Sequence, residues 1–231
     1  MSYTISIIIP VYNESENIGI LFENLKPFSE CEIIFIDGGS KDDTIEQIKQ
    51  RGGTVLVSPK KGRANQMNHG AFAASGDIFW FLHADSVPDK NSIEQIHKVL
   101  NIYDIGCFKI KFNDNHPLMF IYAFLSNNLR VRLRNIAFGD QGIFIKRALF
   151  EKLGGYAPIP LMEDYRLSLD ITKAGYKIGM AKGKIITSAR RFHKHGYVKT
   201  MRIMQNLQKR FRKGDDIEEI VREYNINGGN L

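Results

Sequence analysis

The chain has 231 residues, 43% hydrophobic and 25% charged, an ordinary globular composition long enough for one large core or two small ones. No N-terminal stretch joins basic residues to a long apolar run and a cleavage site, so no signal peptide is expected. The apolar residues 118–125 fall far short of the roughly 20 needed for a membrane-spanning helix. Cys31 and Cys107 are far apart in apolar surroundings and read as buried free thiols of a reducing compartment. The net charge of +7 is uneven: residues 1–116 hold 11 Lys and Arg against 15 Asp and Glu, residues 117–231 hold 21 against 10. A basic half suits an anionic partner (a phosphorylated ligand, an acidic membrane surface or nucleic acid) or is a solvated surface.

The first half alternates strand and helix. Ile5–Val11 is a continuous β-branched run, as in a strand buried on both faces. An acidic turn and a helix near 17–25 follow, then a strand at 31–36. In DGGSKDDT, Ser40 and Asp42 suit a helix start. A helix at 44–51, a strand at 54–57, a Gly/Lys loop, a helix near 64–74 and a strand at 77–82 complete the half. Strand–helix–strand units of this size predict an α/β fold with a mostly parallel sheet covered by helices. The second half is less regular. Strands are expected at 107–112, 142–146 and 184–188, with helices at 118–134 and 161–174 and a basic amphipathic helix at 198–211. No repeat or low-complexity linker divides the chain, so a single domain over 1–231 is expected.

Ligands of such sheets sit beyond the carboxyl ends of the strands. Three of those ends are polar here: Tyr12-Asn13-Glu14, Asp37-Gly38-Gly39-Ser40 and His83-Ala84-Asp85. GxGxxG after the first strand, a Walker loop, GxSxG and zinc-ligand spacing are all missing. What remains is carboxylates at strand ends plus the basic loop Lys60-Lys61-Gly62-Arg63, which suits a nucleoside diphosphate. Asp37 could accept hydrogen bonds from a base or sugar, Arg63 could offset phosphate charge, and Asp85 could hold Mg²⁺ or Mn²⁺.

The ordered blocks PVYNE, DGGS, GRANQMNHG, FLHADS, GDQG and PLMEDYRLS resemble family 2 glycosyltransferases of GT-A fold, over about residues 5–191. The GDQ, LMED and TSARR blocks are especially similar to a compact bacterial branch. The resemblance implies a nucleotide-diphospho-sugar-binding half at 1–116, an acceptor and catalytic half at 117–195, and a basic helix and tail at 196–231. Pro10, Tyr12 and Glu14 then match the first nucleotide-binding segment, and Asp37 with Gly38 the base-reading turn. Arg63 and Asn68 match the loop flanking the diphosphate, and His83-Ala84-Asp85 a variant DxD with Asp85 as metal ligand. Asp164 of the Glu163-Asp164 pair matches the general base, and Asp140-Gln141 an acceptor or donor-sugar contact. Arg190 or Arg191 could belong to a flexible flap closing over the diphosphate.

Two departures stand out. His83 replaces the first carboxylate of DxD, though an imidazole can still meet a ribose or a transition metal. The QxxRW block of processive synthases is missing, so a single sugar addition is expected. The implied activity is inverting, metal-dependent transfer from a nucleotide-diphospho-sugar, by family analogy a UDP-sugar, to a small-molecule or lipid-linked hydroxyl. The competing readings are a sugar-nucleotide nucleotidyltransferase and a non-catalytic nucleotide-sugar-binding module. Nucleic acid is not an expected partner, since no aromatic platform interleaves the arginines. The expected location is cytoplasmic. The 198–211 stripe packs on its own domain or makes a peripheral contact with the inner face of the membrane.

Overall fold

The computed structural model describes residues 3–227. The last four residues of the segment expected at 196–231 lie outside the described residues. The eight strands are β1 Ile5–Val11, β2 Glu32–Asp37, β3 Thr54–Val57, β4 Ile78–Phe81, β5 Val87–Pro88, β6 Ile105–Phe112, β7 Phe144–Lys146 and β8 Ile178–Thr187. They form one sheet in the order β3-β2-β1-β4-β7-β6-β8-β5. Pairs β1–β2, β1–β4, β2–β3 and β6–β8 are parallel, whereas β7 runs antiparallel to both β4 and β6. The β5–β8 pair is antiparallel as well.

Alternation along β1 sends Ile7 and Ile9 to one face and Ile8 to the other. Helices α1 Ser15–Leu25, α2 Thr44–Gln50 and α4 Ser92–Leu100 cover the first face, burying Ile18, Leu21, Ile48, Ile96 and Leu100 around Trp80. Helices α3 Arg63–Ala73, α6 Arg147–Lys152 and α7 Glu163–Lys173 cover the other, with Met67, Phe150 and Leu167. Because β1 is paired on its two sides by β2 and β4, the strand order reverses beside it. That reversal opens a crevice at the carboxyl ends of β1 and β4.

Helix α5 Pro117–Leu125 continues as π-helical turns through Ser126–Leu133. Asn127 anchors the wide turns, its side chain accepting from Ile110 N at 2.9 Å and donating to Ile110 O at 3.1 Å. The helix expected at 118–134 is thus found, with two pitches. The short strand expected at 184–188 is the end of the ten-residue β8. The residues of the expected flap form helix α8 Arg190–His195, with buried Phe192 packed against Phe112. Helices α9 Tyr197–Lys213 and α10 Ile217–Ile226 follow, packed on each other and on the domain through Leu207 and Ile220. Met201, Met204, Leu207 and Phe211 of the α9 stripe are therefore turned inward, while Val198 stays exposed. Cys31 and Cys107 are both free.

Candidate active site

The floor of the crevice is made by two laced loops. Asn13, at φ 51°, donates its N–H to Ser40 Oγ at 2.9 Å and accepts from Lys41 N through Oδ1 at 2.8 Å. Glu14 N donates to Thr44 Oγ1 at 2.8 Å. Beneath them the buried Gln66 of α3 donates to Val11 O and Ile36 O at 2.9 and 2.7 Å, clamping the ends of β1 and β2. Pro10 lies half-buried at the end of β1, while Tyr12 stands 43% exposed beside half-buried Glu14. Desolvation raises the Glu14 pKa, a hydrogen bond from Asn17 opposes it, and the Asp85 charge adds to it.

After β4 the chain turns through His83, Ala84 and Asp85, all half-buried. Asp85 has its pKa raised by desolvation, with Arg190 and Arg63 pulling it back. Asp140, from the GDQ turn Gly139–Gln141, has its pKa raised by burial, lowered by Arg130 and Arg63, and raised again by Asp85. Its Oδ1 is buried with no partner. Two hard carboxylates within each other's field, one with an orphaned oxygen, fit a divalent cation that keeps several waters. The imidazole of His83 lies against the GDQ turn. Its Nε2 is buried, also without a partner, and a Cβ at Gly139 would come within 2.5 Å of it. Burial, then Arg63, lower its pKa to about 3, so the ring is neutral. Gly139→Ala is expected to destabilise the fold by about 1–3 kcal/mol, the cost of overpacking, read as a lowered Tm. Gly139→Ala combined with His83→Ala should recover most of that loss.

Helix α7 starts on the strained Met162, φ 66°, which aims Glu163 and Asp164 inward. Glu163 is 1% exposed and accepts from Arg63 Nε at 2.5 Å. Asp164 is 6% exposed; its Oδ2 accepts from Gly139 N at 2.8 Å and its Oδ1 from Tyr165 N at 2.7 Å. Burial and then the Glu163 charge push the Asp164 pKa up to about 7, against the pull of Arg63. A carboxylate poised near neutrality is what general-base chemistry calls for. Arg63 lies in the field of His83, Asp85, Asp140 and Asp164 together, so it is the electrostatic hub joining the two halves.

Other sites expected from sequence are occupied by the protein itself. Asp37 is fully buried, accepting from Gly39 N and Ser40 N at 2.7 and 2.9 Å and from Ser40 Oγ. These bonds hold its turn. Gly38 is needed where it is, because a Cβ would lie 3.0 Å from the Gln66 amide. Asn68 is spent on the backbone of Tyr156, donating at 2.8 Å and accepting at 2.9 Å. Gln141 is buried between Arg130, Phe138 N and Phe108 O. Arg191 donates to Tyr224 Oη at 2.9 Å and stacks over its ring, whereas Arg190 stays exposed within the field of Asp85 and Glu14. Sequence reasoning missed Gln66, Arg130 and Tyr156. The Tyr156 hydroxyl is buried, unpartnered and in the field of Asp164 and Glu163; only the paired glycines before it marked a tight turn.

The profile of "Glycosyl transferase family 2" matches residues 6–154, which include Asp85 and Asp140 and stop short of Asp164. The probable glycosyltransferase YdaM of Bacillus subtilis is 22% identical over 200 residues, 75% of this chain and 48% of its own. The chain thus spans about half the length of that curated relative. Among solved structures, a mannosyltransferase from Pyrobaculum calidifontis in complex with GDP-Man and Mn²⁺ superposes with a TM-score of 0.65 at 21% identity. That match covers 87% of this chain and 65% of the other. Glucosyl-3-phosphoglycerate synthase from Mycobacterium tuberculosis, in complex with Mn²⁺, UDP-glucose and phosphoglyceric acid, gives 0.59 at 20% identity, covering 78% and 69%. Both support the GT-A fold. With the profile spanning well over half its length, the chain belongs to glycosyltransferase family 2.

Proposed function

We propose that the protein transfers a sugar from a nucleotide-diphospho-sugar to a hydroxyl acceptor with inversion at the anomeric carbon. The observation carrying this reading is the pairing of Asp164, a buried carboxylate poised near pH 7, with the Asp85–Asp140 carboxylates across Arg63. Asp164 takes the proton of the acceptor hydroxyl as its oxygen bonds to the anomeric carbon. The bond from that carbon to the diphosphate oxygen breaks on the opposite face, and its electron pair leaves with the nucleoside diphosphate. Arg63 and Arg190 offset phosphate charge on the leaving side. Glu163 holds the Arg63 guanidinium in place from below, and Tyr12 offers an exposed ring at the mouth of the crevice. A divalent cation held by Asp85 with Asp140 would stabilise the charge that develops on the departing diphosphate.

The two solved relatives hold GDP-Man or UDP-glucose with Mn²⁺, and the second is also known with Mg²⁺ and UDP, which supports a UDP- or GDP-sugar donor with either cation here. A thermal-shift panel of UDP- and GDP-sugars with and without Mn²⁺ tests the reading, because a ligand bound to the native state alone raises Tm by mass action. At least one donor should raise Tm in a Mn²⁺-dependent way. Slow hydrolysis of that donor should release sugar of inverted configuration, followed by NMR before mutarotation. No shift with any donor, or a retained anomer, refutes it.

A further inference from the structure

The α5–π helix presents an uninterrupted apolar face to solvent. Phe120, Ile121, Phe124, Leu125, Leu129 and Leu133 are all exposed, Phe124 at 62% and Leu133 at 74%. Their spacing is dominated by steps of four. Four residues overshoot an α-turn by about 40° and fall short of a full π-turn, so the change of pitch after Leu125 keeps the stripe straight. Surface apolar residues of a monomer are normally scattered, and a contiguous patch marks an interaction site.

The segments that carry the stripe and α9 bear only basic charges. Residues 115–139 and 171–214 contain no Asp or Glu. Exposed Arg132 and Arg134 close the stripe at its end. Beside them a cavity of about 350 Å³ is lined by Arg134, Gln205, Gln208, Lys209 and Arg212, bringing the outer face of α9 alongside. Arg210 is not part of this set, being held by Asp215, Glu219 and Glu223 of the α10 side. A second copy meeting this face symmetrically would set arginine against arginine. No helix among the described residues is long and apolar enough to cross a membrane.

We infer that this face docks on an anionic lipid bilayer. The apolar stripe enters the headgroup–acyl boundary, and Arg132, Arg134, Lys209 and Arg212 meet the lipid phosphates. The surface is distinct from the inward stripe of α9. It is also joined to the active site, because Arg130 on the inner side of the same helix bonds Gln141 at 2.9 Å and lies 4.2 Å over the Phe138 ring. Docking would therefore hold the Asp140 turn near the lipid surface.

Co-sedimentation of the full chain with phosphatidylcholine vesicles, with and without phosphatidylglycerol, tests the inference without any donor, so its failure is separable from that of the transferase reading. Binding should require phosphatidylglycerol and weaken with salt. The Phe120→Ser/Phe124→Ser/Leu129→Ser variant should bind about tenfold or more weakly, with Tm and the donor-induced thermal shift retained. Arg134→Gln/Lys209→Gln/Arg212→Gln should lose binding to anionic vesicles in the same assay. No binding to either vesicle, binding indifferent to both variants, or light scattering showing a dimer that the serine variant dissociates would each overturn it.

Discussion

Asp164→Asn is expected to lower kcat by about 10²–10⁴-fold, the range lost with a positioned general base, while the Mn²⁺-dependent thermal shift by the donor persists. The split follows from geometry: Asp164 is held by Gly139 N and Tyr165 N on the α7 side, whereas the proposed donor site lies at the ends of β1 and β4. Steady-state release of nucleoside diphosphate reads the first quantity and calorimetry or thermal shift the second. Wild-type kcat should rise with pH through about 7 as the base ionises, and the residual rate of the variant should lose that limb. Wild-type rates in Asp164→Asn would remove Asp164 from the reaction.

The same shift has a cost in stability. The native carboxyl titrates near 7 and the unfolded one near 3.8, so between those pH values the native state carries the extra proton. Stability from this group therefore falls as pH rises from about 4 to about 7, by at most about 1.4 kcal/mol per pH unit for one proton. Asp164→Asn removes that slope, and its Tm relative to wild type should climb across the window. Arg63 limits the penalty by standing between Glu163 and Asp164, and for that reason Glu163 is better described as a positioning residue than as a second base.

The first half of the fold could be read from sequence because β1 and β2 are continuous β-branched runs, a pattern that only a doubly covered strand sustains. The antiparallel β7, the two-residue β5 and the change of helical pitch at Ser126 carry no comparable local pattern. Each depends on a partner distant in the chain, as Asn127 depends on the backbone of Ile110. The site shows the same division. Polar residues at strand ends announced the crevice, but sequence cannot tell a carboxylate awaiting a ligand from one satisfied by its own turn. Asp37, Asn68 and Gln141 proved to be of the satisfied kind, whereas Asp85 and Asp140 keep oxygen atoms that the protein leaves unmatched or in repulsion. For His83 the sequence leaves a ribose or a metal contact open; its Nε2 lies against the GDQ turn, where a Cβ at Gly139 would come within 2.5 Å.

Asp85→Asn is expected to remove the Mn²⁺ dependence of the donor thermal shift and to lower kcat/KM by about 10³-fold, as loss of several kcal/mol of charge stabilisation on the leaving diphosphate implies. Asp85 lies in the field of Arg190 and Arg63, yet desolvation keeps its pKa raised, and it in turn raises that of Asp140. Without a cation this pocket holds two carboxylates that oppose each other's ionisation. A divalent cation held by Asp85 with Asp140 would favour the ionised form of both carboxylates and offset their repulsion. Mn²⁺ alone should therefore raise the Tm of the wild type more at pH 8 than at pH 5, where protons compete for the same oxygens. Asp140→Asn should weaken the Mn²⁺ effect less than Asp85→Asn, because Arg130 already offsets part of the Asp140 charge. Equal Mn²⁺ responses in wild type and Asp85→Asn would remove Asp85 as the metal ligand and shift the neutralisation of the departing diphosphate to Arg63 and Arg190.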